Sequence, residues 1–161
     1  MKRLSIGVAL MAAALAAGPA SAASPSPITF RVQVVLMGDL SASTTVGAFS
    51  AAGAIEDAGH EAGSGWFAGQ GHLKTGEPNV LHSELHLSGA RGSVTIALNG
   101  IVGTLPAPLA DGDGRWVITG GTGDYAGMHG TGTFDLHADF RDAIAHLGPP
   151  RVTIELEGRA G

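Results

Sequence analysis

Apolar residues recur at every second position along most of this chain, which constrains its fold more than any other feature. The first run of this kind shares one face and consists of Ile28, Phe30, Val32, Val34 and Leu36. Because successive side chains of a strand point to opposite faces, this spacing indicates strands with one buried face. Only residues 140–147 are compatible with a helix, and Gly148 and two prolines end it after about two turns.

Eight segments fit this pattern. The predicted strands cover Ile28 to Leu36, Phe49 to Ile55, Ser64 to Lys74, Leu81 to Leu87, Val94 to Leu98, Arg115 to Thr119, Gly130 to Phe140 and Arg151 to Gly158. Turn-rich segments such as "TGEPN", "LPAPLADGDG" and "AHLGPP" are short enough to join antiparallel neighbours. The simplest arrangement that protects the edges is an all-β, eight-stranded antiparallel barrel, whose interior is filled by side chains or holds one small ligand. A two-sheet sandwich is the alternative.

The N-terminal segment is typical of a secretory signal. Met1-Lys2-Arg3 precedes an apolar run from Leu4 to Ala17 and small residues up to Ala22. This run is shorter than the roughly 20 apolar residues that a spanning helix needs. We therefore expect a signal peptide over residues 1–22, a single domain over residues 23–161, no membrane insertion after cleavage, and a secreted or periplasmic destination.

Charge and cysteine content exclude several classes of protein. Without Lys2 and Arg3 the chain has 7 basic and 14 acidic side chains, a net charge of −7, which argues against nucleic acid and anionic membrane surfaces as partners. There is no cysteine, so neither a disulfide nor a lipid anchor on cysteine is available. Stability must therefore come from an apolar core.

The stretch "WVITGGTGDYAGMHGTGTFD", Trp116 to Asp135, superficially resembles a dinucleotide-binding loop. Such a loop places the pyrophosphate at the N-terminus of a helix. Glycines, β-branched threonines and then an alternating strand pattern follow Gly127 instead, and no Gly-Lys-Ser/Thr completes a P-loop. The sequence predicts a glycine-rich turn between two strands, anchored by packing of Tyr125, and no cofactor.

This turn resembles the signature of the allene oxide cyclase and dirigent β-barrels, which are calycin-like. Seven positions of "GGTGDYAGMHG" fit the cyclase form of the pattern: Gly120, Gly121, Thr122, Gly123, Tyr125, Gly127 and Gly130. The resemblance implies an eight-stranded barrel, usually a homotrimer, with a cavity for a small apolar ligand in its mouth. It also implies a cyclase or isomerase activity in those relatives.

The residues that carry this chemistry in the family differ here. The first strand of the cyclases supplies a carboxylate, whereas this first strand has none before Asp39 and offers Arg31 and Gln33. His129 stands where dirigents commonly carry arginine. If the barrel is catalytic, the candidates by position are Arg31, Gln33 and His129. A shared fold predicts a pocket and does not by itself predict a reaction.

A second cluster has the residue types of a metal site. His82, Glu84 and His86 fall on one face of the strand "LHSELHL", and a third ligand such as His72 or His137 would complete a site. The interpretation that we favour is a solvated outer face opposite the leucines. Asp111 and Asp113 lack the rest of a calcium loop and indicate a turn. Trp66 and Phe67 could line a ligand cavity, and core packing is the interpretation that we favour for them.

Two hypotheses on function follow from these observations. The first is an exported barrel that binds a small apolar molecule, and the alternative is a non-enzymatic envelope or extracellular protein with a filled barrel. The packing of six inward-facing residues distinguishes them: Phe30, Val32, Val34, Phe134, Leu136 and Ile154. A polar group among them beside a void would indicate a ligand, whereas tight interdigitation would leave no pocket.

Overall fold

A computed structural model describes residues 24–39, 42–66, 76–105 and 107–161 as one closed, antiparallel β-barrel of eight strands. The strands are β1 (Ser26–Asp39), β2 (Ala42–Gly53), β3 (Asp57–Trp66), β4 (Pro78–Gly89), β5 (Gly92–Thr104), β6 (Leu109–Gly121), β7 (Gly130–Asp139) and β8 (Arg151–Ala160). The predicted all-β barrel is confirmed. The predicted signal peptide, Phe67 and His72 lie outside the described residues.

Each strand pairs with the next along the chain, and β1 closes the barrel by pairing with β8. Phe30 lies opposite Leu156 across this closing pair. Closure pairs the backbone N–H and C=O groups on both sides of every strand, so no strand is left as an exposed edge. We call the end at which β1 begins the lower end and the end at which β1 finishes the upper end. Connections 54–56, 90–91 and 122–129 lie at the lower end.

Apolar residues of the alternating pattern face the barrel interior, and the polar residues between them face the surface. The six residues proposed to face inward are each at most 4% exposed, namely Phe30, Val32, Val34, Phe134, Leu136 and Ile154. Their polar neighbours Thr29, Arg31 and Gln33 lie on the outer face of β1 and are exposed. Burial of these apolar side chains supplies the main stabilisation of a chain that has no disulfide.

Inward-facing glycines make room for the large aromatic rings. A Cβ atom on Gly158 would lie 2.5 Å from Cζ2 of Trp116, and one on Gly132 would lie 2.7 Å from its Nε1. Phe134 fits against Gly100 and Gly114 in the same way, with ring atoms 2.8 Å from each Cβ position. The rings therefore pack directly on the backbone of neighbouring strands.

Four predicted strands had wrong bounds: the second is Ala42–Gly53 and not Phe49 to Ile55, and the fifth is Gly92–Thr104 and not Val94 to Leu98. The third strand is Asp57–Trp66 and not Ser64 to Lys74, of which only residues 64–66 are described as strand. The sixth begins at Leu109, so that Asp111 and Asp113 are exposed strand residues and do not form the predicted turn. The errors in the third and sixth strands arise where glycine and acidic residues replace the apolar alternation on which the prediction depended.

The helix-compatible segment forms one short helix, α1 (Arg141–Ile144), at the upper end. Its first residue is tied to the end of β7, because the guanidinium and the backbone N–H of Arg141 donate hydrogen bonds to the Asp139 carboxylate. These hydrogen bonds lower the pKa of Asp139 to about 2. Within the described residues, no helix is both long and apolar enough to span a membrane.

Candidate functional site

The glycine-rich motif forms the predicted turn at the lower end. Residues Gly123–Tyr125 form a single 3-10 turn, and β7 begins at Gly130, where a dinucleotide site would need a helix. Gly123 and Gly127 have φ angles of 60° and 75°, in the left-handed region that residues with a Cβ atom rarely adopt. The turn therefore reverses the chain and holds no feature of a phosphate-binding loop.

Tyr125 anchors this turn to two other connections at the lower end. Its ring is fully buried, and its hydroxyl donates to Oδ2 of Asp57 at 3.1 Å. Asp57 also accepts hydrogen bonds from the backbone N–H groups of Ala58, Ala90 and Arg91. Burial and the nearby Asp57 carboxylate raise the pKa of Tyr125, so the phenol keeps its proton. The motif thus closes the lower end of the barrel.

The three catalytic candidates suggested by position do not meet at one site. Arg31 and Gln33 are exposed on the outer face of β1, where Nε of Arg31 lies 3.7 Å from Oε1 of Glu155. His129 is exposed at the lower end, and its backbone exchanges two hydrogen bonds with Gly161. None of them lines the barrel interior, and their chemical role remains a prediction from position alone.

His82, Glu84 and His86 lie at the alternate positions of β4 that face away from the core, as predicted. His86 contacts Oε1 of Glu84 at 3.0 Å and Oγ1 of Thr95 at 3.2 Å, and Nδ1 of His82 contacts Oδ1 of Asn99 at 2.7 Å. His137, on β7, contacts Asp111. Among the described residues, no group of three or more His, Cys, Asp or Glu side chains is arranged to hold a metal ion.

The barrel interior instead contains a carboxyl group that the sequence analysis missed. Glu61, on an inward position of β3, is only 2% exposed. Its Oε1 accepts a hydrogen bond from the hydroxyl of Thr45 at 2.7 Å. Its Oε2 is buried and has no hydrogen-bond partner among the described residues. Buried polar atoms are rarely left unpaired, so this oxygen marks a functional candidate.

Small residues occupy the interior between Glu61 and the upper end. Gly65 lies directly between Ser43 and Ser83 on the neighbouring strands, and Gly63 lies beside Thr45. We call this set the small-residue lane: Ser43, Thr45, Gly63, Gly65 and Ser83. A Cβ atom on Gly63 would lie 2.5 Å from Oε1 of Glu61, so the carboxyl group extends over Gly63 in the direction of the upper end.

The surroundings of Glu61 favour its neutral form. Burial raises the pKa of Glu61 above its ordinary value of 4.5, against the smaller lowering effects of the Thr45 hydrogen bond and of His86. β2 has no titratable side chain, and the titratable side chains of β4 lie on its outer face. A protonated carboxyl group in this position can donate one hydrogen bond and can act as a general acid.

Glu61→Gln is expected to remove a pH dependence of stability. Because the pKa of Glu61 is higher in the folded chain than in the unfolded chain, its contribution is fully present below the unfolded pKa and is lost as pH rises through the folded pKa. The variant should match the wild type near pH ~4 and exceed its free energy of unfolding near pH ~8. Urea unfolding at both pH values measures this, and a difference independent of pH would contradict it.

An apolar cleft of about 270 Å³ lies at the upper end. α1 and the residues on both sides of it form one wall through Phe140, Ala143, Ile144 and Pro150. Leu105 and Ala107 line the cleft from the connection between β5 and β6. Its volume is near the lower limit of about 300 Å³ for small-molecule pockets. The upper end therefore combines apolar surface with the small-residue lane.

Comparisons of this chain with family models, with curated proteins and with solved structures gave no match. The resemblance of Gly120 to Gly130 to the allene oxide cyclase and dirigent barrels therefore rests on the motif alone.

Proposed function

We propose that this protein is an exported barrel that binds a small, mainly apolar molecule in the upper half of its interior. The observation that carries the proposal is the free Oε2 of Glu61, buried at the inner end of the small-residue lane. A buried oxygen without a hydrogen-bond partner destabilises the folded chain, and a hydrogen bond from a ligand or water offsets that cost. Export is supported by the signal-like sequence of residues 1–22.

The composition of the interior supports an apolar ligand. Around the lane the buried residues are almost entirely apolar, and the cleft beside α1 adds an apolar surface at the same end. Binding sites for small molecules usually combine apolar walls with a few polar groups that fix orientation. Glu61 and Thr45 are suited to the second role, because both are buried and one carboxyl oxygen is unused.

A reaction is a further part of the proposal. The resemblance of the lower turn to cyclase barrels suggests cyclisation or isomerisation, and Glu61 is the described interior group that can transfer a proton to a bound molecule. The second candidate function is a structural protein with a filled barrel. It is favoured by the close packing of Trp116 and Phe134 on inward-facing glycines, which leaves no room beside those rings.

Gly65→Val is expected to obstruct the lane without breaking the fold. A Cβ atom at Gly65 would lie 3.1 Å from Oγ of Ser83, a contact that a small shift of the serine relieves. The variant should weaken binding of menthone, a small apolar ketone, at least about tenfold, or about 1.4 kcal/mol, by calorimetric titration. Gly103→Val is the matched control, because this glycine lies on the outer face of β5 and its Cβ position is at an ordinary distance from its neighbours.

The two variants separate the candidate functions. Weaker binding in Gly65→Val and unchanged binding in Gly103→Val support a ligand in the lane. Equal affinity in both variants and the wild type would place the molecule elsewhere. No binding to the wild type would favour the filled barrel. Thermal unfolding of each variant checks that the fold is retained.

A further inference from the structure

We infer that Glu61 binds its molecule as a hydrogen-bond donor, so that the site selects neutral compounds with an acceptor oxygen, such as ketones, esters or ethers. This inference names the ligand class for the site of the proposed function, and it rests on that proposal. It rests on the different surroundings of the two carboxyl oxygens: Oε1 contacts Thr45, and Oε2 has no partner among the described residues.

Oε1 of Glu61 already has a hydrogen-bond partner in Thr45. Thr45 has a single hydroxyl hydrogen, and its Oγ1 lies 2.7 Å from Oε1 of Glu61 in a buried contact. When this hydrogen is donated, Oε1 acts as an acceptor and the carboxyl proton resides on Oε2. The free oxygen then presents an O–H group to the interior and not a negative charge.

The strands beside Glu61 do not stabilise a negative charge on its carboxyl group. An ionised carboxylate buried in an apolar interior requires a cation or several donors, and Glu61 has one donor, Thr45. The strands on both sides offer no cation to the interior: β2 has no titratable residue, and His82 and His86 of β4 are on its outer face. On β3 itself, His60 is exposed and Asp57 lies at the lower end, bound to Tyr125. The neutral acid is therefore the form that the geometry favours.

A neutral Glu61 selects its ligand by the polar group that the ligand presents. A neutral acid donates to carbonyl and ether oxygens, whereas an ammonium group needs the ionised form as its partner. A pure hydrocarbon would leave Oε2 unpaired and would gain only from apolar contact. The inward residues of the lane are small, and such an oxygen would reach Glu61 through it from the upper end.

The test uses three probes that share one carbon skeleton. Menthone carries a carbonyl oxygen, p-menthane carries no polar group, and menthylamine carries a cation at neutral pH. Calorimetric titration of the whole exported chain should show menthone binding about tenfold more tightly than either of the others. Glu61→Ala should abolish that preference, whereas Glu61→Gln should keep most of it, because the glutamine amide also donates.

Thr45→Val provides a second variant that keeps the size of the side chain and removes the hydroxyl. It frees Oε1 and should reduce the preference for menthone less than Glu61→Ala does, since the acid proton remains. If Glu61→Ala does not fold, Glu61→Met keeps the length of the side chain and has no donor, so it should abolish the preference for menthone in the same way.

The outcomes distinguish this inference from the proposed function. Equal affinity for menthone and p-menthane, unaffected by Glu61→Ala, would overturn the inference and leave apolar binding intact. Tighter binding of menthylamine would also overturn it, because Glu61 would then be ionised. Failure of the wild type to bind any of the three probes would overturn the proposed function and the inference that rests on it.

Discussion

Tyr125→Ala is expected to lower the free energy of unfolding by about 3–5 kcal/mol, as large-to-small changes of buried aromatic residues do. The ring is fully buried at the lower end, and its hydroxyl is bound to Asp57. Asp57 in turn accepts backbone hydrogen bonds from Ala90 and Arg91, so loss of Tyr125 loosens three connections together. Urea unfolding followed by far-ultraviolet circular dichroism measures the change.

Tyr125→Phe is the matched control for this prediction. It keeps the ring and removes only the hydrogen bond to the Asp57 carboxylate, which is worth about 1.5–3 kcal/mol because the acceptor is charged. A loss below about 1.5 kcal/mol for Tyr125→Ala would contradict the anchoring role of this residue, because burial of a side chain of this size alone accounts for more.

Trp116→Ala is expected to have an effect of the same size, about 3–5 kcal/mol. Its indole is 1% exposed, packs edge-on against Phe30 with ring centroids 6.1 Å apart, and donates from Nε1 to the backbone oxygen of Glu157 at 3.2 Å. Gly132 and Gly158 have no side chain to fill the space that the indole leaves, so the cavity would persist.

Val117→Ala serves as the control for Trp116→Ala in the same strand. Val117 is 42% exposed on the outer face of β6, so its truncation should change the free energy of unfolding by about 0.5 kcal/mol or less. Similar losses in both variants would show that the effect belongs to the strand and not to the packing of the indole.

The sequence was sufficient to predict the number of strands and the inner face of most of them. Alternation in β1, β4, β7 and β8 is strong because one side of each strand is apolar and the other polar. Closure follows from the need to pair the remaining edges. The position of the glycine-rich turn was also predictable, because glycine and threonine after Gly127 rule out a helix.

β3 and the first half of β6 could not be placed by this reasoning. β3 has glycine at three inward positions, Gly59, Gly63 and Gly65, and glutamate at a fourth, so it has no apolar alternation. β6 begins with "LADGDG", which reads as a turn in isolation. Its inward Gly114 receives the ring of Phe134 from β7, a contact that depends on pairing between strands and not on local sequence.

The candidate site was missed for the same reason. Glu61 lies in the part of β3 that was predicted as a connection, so its inward direction was not recognised. The signal available in "DAGHEAGSGW" was a period of two in Asp57, Gly59, Glu61, Gly63 and Gly65. By contrast, the alternation that placed Phe30 and Val32 inside also requires Arg31 and Gln33 to face outward, which is where they lie.

The central claim, a ligand in the lane beside Glu61, is tested most directly by native mass spectrometry of the protein purified from its own host, as wild type and as Gly65→Val. The account predicts that a small neutral molecule accompanies the wild type, is released on denaturation, and is depleted in the variant. A wild-type protein that carries no molecule, or one retained equally by Gly65→Val, would contradict it.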